Sequence, residues 1–157
     1  MKEIERKFIV TNSGWKKDIT GVVQDITQFY LQISPSCTIR VRKANDRFTM
    51  TMKSDEMYIR EEIEFPIPED AWFRLLNEIP MQPIQKRRHT VRWDGRLWSV
   101  DVFKGSHKGL VMAEVELSKA QKITKLPSWI GEEVTFDPRY YNQNIASLKG
   151  KNDKKRT

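Results

Sequence analysis

Cysteine is almost missing from this chain. Cys37 is the only one in 157 residues, which excludes an internal disulfide and any multi-cysteine metal site. Histidine is nearly as scarce. His89 alternates away from its charged neighbour Arg88, and His107 sits in a loop between glycines, so neither has a metal-ligand partner at useful spacing. No stretch approaches the ~20 apolar residues that a membrane-spanning helix needs. The N-terminus, Met1-Lys2-Glu3-Ile4-Glu5, is acidic from its third residue and lacks the apolar segment of a signal peptide. A cytoplasmic protein with no membrane partner is expected.

What the chain does have is charge: 31% of residues are charged against 38% hydrophobic, with a net charge of +7. That excess looks like a nucleic-acid signal until it is located. The last nine residues hold Lys149, Lys151, Lys154, Lys155 and Arg156 against Asp153, a net of +4, which leaves +3 for all the rest. Residues 149–157 read as a basic, disordered tail, and residues 1–148 as a single domain large enough to bury a core. No strand shows the interleaved basic and aromatic pattern of an RNA-recognition sheet, so sequence-specific nucleic-acid binding is not expected.

Alternation dominates the body of the chain, and in a strand it assigns side chains to opposite faces. In Lys2 to Phe8, Glu3, Glu5 and Lys7 oppose Ile4 and Phe8. In Gln24 to Ile33, Gln28, Tyr30 and Gln32 oppose Phe29, Leu31 and Ile33. Further strands are expected over 37–43, 47–53, 58–65, from Ile84, over 96–103 and over 110–117, with Asp94-Gly95 as a strong hairpin turn. Residues 69–79 carry apolar residues at helical spacing with acids at the start, and predict an amphipathic helix. A short helix capped by Ser118 and ending near Pro127, and a last helix over 140–148, complete the reading.

The charged faces collect Glu3, Glu5, Lys7, Arg40, Arg42, Lys53, Arg60, Glu62, Glu64, Lys86, Arg88, Asp101, Glu114 and Glu116. An open sheet with helices on one face and water on the other would explain simple alternation. The clustering of signs argues for more. Acids gather as Glu-x-Glu on the first and last major strands, and bases gather as Arg-x-Arg and Lys-x-Arg between them. Carboxylates two apart on a strand suit a hard divalent cation. Paired Arg and Lys suit phosphoryl oxygens, which Arg grips bidentately. Together they describe a polyphosphate site, enclosed if the strands close into a barrel.

The chain resembles the CYTH domains, or triphosphate tunnel metalloenzymes. The resemblance rests on Glu3-Ile4-Glu5-Arg6-Lys7, Gln28-x-Tyr30-Leu31, Arg40-Val41-Arg42, Thr49-x-Thr51-x-Lys53, Arg60-x-Glu62-x-Glu64, Lys86-x-Arg88, Asp101-Val102-Phe103 and Glu114-Val115-Glu116-Leu117. The ending Pro127-x-Trp129-Ile130-Gly131-Glu132-Glu133-Val134-Thr135 belongs to the same pattern.

That resemblance implies an α+β fold: a closed eight-stranded antiparallel β-barrel, the triphosphate tunnel, with helices packed on the outside. It implies Mg2+ or Mn2+ held by Glu3, Glu5 and one or both of Glu114 and Glu116. It implies phosphates gripped by Arg40, Arg42, Lys53, Lys86 and Arg88. Glu62, Glu64, Asp101 and Arg60 would orient those bases or help hold a second ion. A Lys of the signature works beside a Tyr in the small bacterial members, and the matching positions are Lys7 and Tyr30, with Lys7 as base or as ligand left open. The implied activity is metal-dependent hydrolysis of a small polyphosphate, inorganic tripolyphosphate first. A class IV adenylate cyclase, a thiamine or nucleoside triphosphatase and a non-catalytic polyphosphate-binding module are the alternatives. Oligomeric state is not readable, although a homodimer suits a small barrel.

Overall fold

Alternation does produce strands. The computed structural model describes residues 3–34, 36–54, 61–80, 82–118 and 121–147. Among these are β1 (Glu3–Val10), β2 (Ile19–Ile33), β3 (Cys37–Ala44), β4 (Arg47–Ser54), β5 (Glu62–Pro66), β6 (Ile84–Trp93), β7 (Arg96–Phe103), β8 (Val111–Ser118) and β9 (Ile130–Glu133). The α-helices are α1 (Glu69–Glu78) and α2 (Asn142–Ser147). The expected tail at 149–157 and Arg60 lie outside the described residues. No described helix is long and apolar enough to cross a membrane.

The expected closed eight-stranded barrel is not formed. The strands hydrogen-bond in the order β5-β4-β3-β2-β6-β7-β8-β1-β9, a nine-stranded order with two ends. The unforeseen ninth strand explains part of the difference. β1 has β8 on one edge and β9 on the other, so neither edge of β1 is left to close a ring. Alternation dictates which residues share a face; it does not dictate which strands end the ladder.

Contacts divide the chain into two compact units, residues 1–24 with 86–140 and residues 25–85 with 141–157. In the first, the apolar faces of β1, β6, β7 and β8 supply Phe8, Val91, Trp98, Val100, Ala113, Val115 and Leu117. Among the described residues no α-helix of this unit covers them. Their cover is Trp15, from a 3-10 turn at Gly14–Asp18, and Trp129, whose ring stands edge-on to Trp98 at 5.6 Å. His89 belongs to this apolar side, its ring 5.0 Å from that of Trp15. The helix expected after Ser118 is absent from residues 121–127. Gln121 instead makes a local turn, its side chain accepting from the Ser118 N–H and its own N–H donating to the Ser118 carbonyl.

The second unit packs α1 on β2, β3 and β4. Trp72 is the buried residue of α1, with its ring 5.0 Å from Phe29 and 5.9 Å from Phe48. The acids Glu69 and Asp70 occupy the first turn, where they complement the helix dipole. β2 begins five residues earlier than expected and has a bulge between Tyr30 and Gln32. Because of that extra residue, Ile33 pairs with Thr38 and the faces exchange beyond Tyr30. Leu31 and Ile33 therefore do not continue the face of Phe29. The Asp94-Gly95 turn of the first unit has φ of 48° and 71°, the left-handed pair that a two-residue hairpin requires.

Candidate active site

In the first unit the register of β1 on β8 sets Glu5 opposite Glu116, Lys7 opposite Glu114 and Glu3 opposite Ser118. The Lys7 N–H donates to Thr135 Oγ1 at 3.1 Å, and its carbonyl accepts from the Val134 N–H at 2.8 Å. Both backbone groups of Lys7 thus point away from β8. In an antiparallel pair this makes Lys7–Glu114, and Glu5–Glu116 two residues on, the closely spaced non-hydrogen-bonded kind, with Cα atoms about 4.5 Å apart. Lys7 Nζ lies 3.4 Å from Glu5 and 3.9 Å from Glu114. Glu5 and Glu116 are like charges directly opposite, an arrangement that destabilises a sheet until a cation intervenes.

Deeper on the same face, Lys86 and Asp101 are almost completely buried. Asp101 accepts from Arg88 through both oxygens, at 2.7 and 2.8 Å, and lies 2.8 Å from Lys86 Nζ. Burial opposes ionisation of this carboxyl, but the Lys86 charge and the Arg88 hydrogen bonds outweigh it and hold Asp101 well below the usual carboxylate range. Arg88 likewise overcomes burial through Asp101, Glu114 and Glu5, so its guanidinium stays charged. Its terminal nitrogen reaches to 3.8 Å from Glu114. One acid therefore orders two bases, while Glu114 lies between Arg88 and Lys7 of β1.

The second unit presents its own polar face. Arg42 donates through two nitrogens to the Oε1 atom of buried Gln28, at 2.9 and 2.7 Å, and Gln28 in turn donates to the Tyr30 hydroxyl at 3.3 Å. Arg40 donates to Thr51, which donates to Glu64 at 3.0 Å. Lys53 lies 3.4 Å from Glu62. Arg42→Ala strips the buried Gln28 oxygen of both donated hydrogen bonds and is expected to cost about 1–3 kcal/mol of folding stability. Denaturant titration of the variant checks this.

Of the residues singled out by sequence, the first unit holds Glu5, Lys7, Lys86, Arg88, Asp101, Glu114 and Glu116. The second holds Tyr30, Arg40, Arg42, Lys53, Glu62 and Glu64, so Lys7 and Tyr30 belong to different units. Sequence reasoning gave no role to Gln28, Thr51 or Thr135. The signal for the first two was their place at alternate positions among the charges, Gln28-x-Tyr30 and Thr51-x-Lys53. Among the described residues no three His, Cys, Asp or Glu side chains are already gathered around one point that could hold a metal. The donor set nevertheless fits a hard divalent ion: Glu5 and Glu116 offer only carboxylate oxygens, set opposite each other.

The CYTH domain family model matches residues 1–145. An inorganic triphosphatase of Acetivibrio thermocellus is 39% identical over 155 residues, covering 98% of each chain. An inorganic triphosphatase of Nitrosomonas europaea is 33% identical over 150 residues, covering 93% of this chain and 97% of that one. The crystal structure of an inorganic triphosphatase superposes with a TM-score of 0.69 at 32% identity, covering 93% of this chain and 95% of that chain.

Proposed function

Because the chain belongs to the CYTH domain family, we propose that it is a divalent-metal-dependent triphosphatase that removes the terminal phosphoryl group of inorganic tripolyphosphate. The observation that carries this reading is the face of the first unit on which the Glu5–Glu116 carboxylates stand beside Lys7, Glu114 and Arg88. The names of relatives that align over nearly the whole chain support the substrate.

Glu5 and Glu116 are the residues that would hold Mg2+ or Mn2+, with Glu3, paired in register with Ser118, as the further ligand the resemblance implies. Glu114 is drawn towards Lys7 and Arg88 instead. When bound, the metal supplies Lewis-acid neutralisation of phosphoryl charge. Phosphoryl transfer otherwise asks for positioning and for charge stabilisation on the equatorial oxygens. On the first unit Lys86 and Arg88, fixed by Asp101, provide donors that need little reorganisation as charge develops. On the second unit, taken by itself, Thr51 and Gln28 order Arg40 and Arg42 in the same way. Lys7 holds a phosphoryl oxygen or the attacking water. Tyr30, on the second unit, shares the hydrogen-bond chain that runs from Arg42 through Gln28 to its hydroxyl.

Purified protein assayed with Mg2+ and with Mn2+ against tripolyphosphate, ATP and thiamine triphosphate tests the proposal. Orthophosphate release from tripolyphosphate, lost on chelation, is expected to exceed release from the other two. Cyclic AMP and pyrophosphate from ATP would replace the hydrolase reading with a cyclase. Retention of tripolyphosphate without turnover would replace it with a binding module.

A further inference from the structure

The motif Gly131-Glu132-Glu133-Val134-Thr135 takes no part in the chemistry above, yet it is stitched along the edge of β1 remote from β8. Trp129 accepts from the Thr11 N–H at 2.9 Å, Ile130 pairs with Val10, and Glu133 pairs with Phe8. Gly131 is required by this close approach, because a Cβ there would meet Thr11 Cγ2 at 2.6 Å and the Ile9 carbonyl oxygen at 3.1 Å. Past the end of β9 the Val134 N–H still bonds the Lys7 carbonyl, and a side chain then takes over from the backbone. Thr135 Oγ1 accepts from the Lys7 N–H and donates to Glu133 Oε1 at 2.8 Å. Glu133 is itself clamped by Arg6, whose Nε and terminal nitrogen donate at 2.8 and 2.7 Å. The Arg6 guanidinium lies 5.2 Å from the centre of the Phe8 ring.

A hydroxyl accepts wherever its lone pairs point, so its own proton must be directed elsewhere. Here Glu133 takes that proton. Arg6 keeps the carboxylate charged and its pKa lowered, first through the hydrogen bond it donates, with the Thr135 hydroxyl adding to the effect. Arg6 points to the opposite face of β1 from Glu5 and Lys7. The chain Arg6–Glu133–Thr135–Lys7 N–H therefore fixes the peptide between Arg6 and Lys7 from the edge of β1 remote from β8.

We infer that Thr135 is a positioning residue for the metal-binding strand: its hydroxyl, aimed by Glu133, fixes the backbone at Lys7 and with it the approach of Glu5 and Lys7 to β8. The inference rests on the metal-dependent reading of Glu5 and Glu116 above. Partners of this kind, one step removed from a ligand, are commonly worth tenfold to hundredfold in metal affinity or activity.

Thr135→Val keeps the shape and removes both hydrogen bonds; Thr135→Ser restores the hydroxyl. In the full-length protein free of metal, Thr135→Val is expected to speed hydrogen exchange at the Lys7 amide. In calorimetric titration with Mn2+ alone its affinity is expected to fall about tenfold or more. With tripolyphosphate, kcat falls by a similar factor while KM changes less, and Thr135→Ser recovers most of both losses. Should Thr135→Val fail to fold, Glu133→Gln, which keeps the threonine and weakens its orientation, is expected to shift Mn2+ affinity in the same direction by less. Faster Lys7 exchange with unchanged Mn2+ affinity would reduce the hydroxyl to a structural staple and overturn the inference. Unchanged Lys7 exchange would overturn it too. Weakened Mn2+ binding in Thr135→Val, beside a parent that binds Mn2+ but does not hydrolyse tripolyphosphate, would uphold the inference and sink only the proposed substrate. A parent that binds no Mn2+ removes both.

Discussion

Asp101→Asn is expected to cost about 3–5 kcal/mol of folding stability, the usual consequence of breaking a buried ion pair from one side. The side chain of Lys86 has no exposure to water, and that of Asp101 almost none. An amide keeps the shape and an acceptor oxygen but leaves the Lys86 ammonium and the Arg88 guanidinium without the charge that offset their desolvation. At about 2–4 °C per kcal/mol for a chain of this size, thermal melting should drop by roughly 10 °C. Acid sharpens the test. The folded-state pKa of Asp101 is depressed, whereas in the unfolded chain the carboxyl titrates near 4. Its stabilisation is therefore complete above about pH 4 and is lost as the pH falls towards the folded-state value. The parent should lose stability more steeply than Asp101→Asn below about pH 4 in denaturant titrations. Equal slopes would show that Asp101 is not the linked group.

Glu5→Gln should have the opposite profile, leaving the fold unharmed and the chemistry badly impaired. Turnover of tripolyphosphate is expected to fall roughly 10²–10³-fold, the scale of losing one preorganised charge-stabilising element, and the metal concentration giving half-maximal rate should rise. Glu5 lies at the half-exposed end of the site, so no core contact is lost. The variant also removes one of two like charges set opposite each other in a non-hydrogen-bonded pair. Because the lost attraction to Lys7 and Arg88 offsets the relieved repulsion, its melting temperature in chelator should stay close to that of the parent, while the stabilisation that added Mn2+ gives the parent should shrink. Full turnover at low metal would show that the metal sits elsewhere.

Strand positions were the most legible part of this chain, because alternation of Ile, Val and Trp with charges is enforced residue by residue. β7 falls on its expected limits, and α1 ends within one residue of them. Two features were hidden for definite reasons. The bulge at Tyr30–Gln32 reverses the faces of β2 without leaving any glycine to mark it. β9 is only four residues long, and Gly131-Glu132-Glu133 carries no apolar alternation, so its pairing follows from backbone fit to β1 rather than from pattern. The closed barrel was expected from the family resemblance and the clustered charges, neither of which shows where the ladder ends.

The charged positions were legible as a set, but their division of labour was not. Spacing cannot show that Asp101 is consumed by Lys86 and Arg88 while Glu5 and Glu116 are exposed, since all five residues occupy equivalent alternate sites. Gln28 is a further case. Its burial and its two hydrogen bonds from Arg42 depend on β3 lying beside β2 in one register.

The pairing of β1 has a consequence for how the chain is made. Its neighbours, β8 and β9, are encoded more than a hundred positions later, and the Arg6–Glu133 contact spans 127. Hairpins such as β3–β4 can form as soon as they leave the ribosome, whereas β1 must wait, unsatisfied, for strands made more than a hundred residues after it. Closing so large a loop adds only logarithmically to its entropic cost, so the delay bears on rate and aggregation more than on final stability. Nascent chains stalled before β9 should carry β1 with the edge that takes Glu133 and Val134 still unpaired.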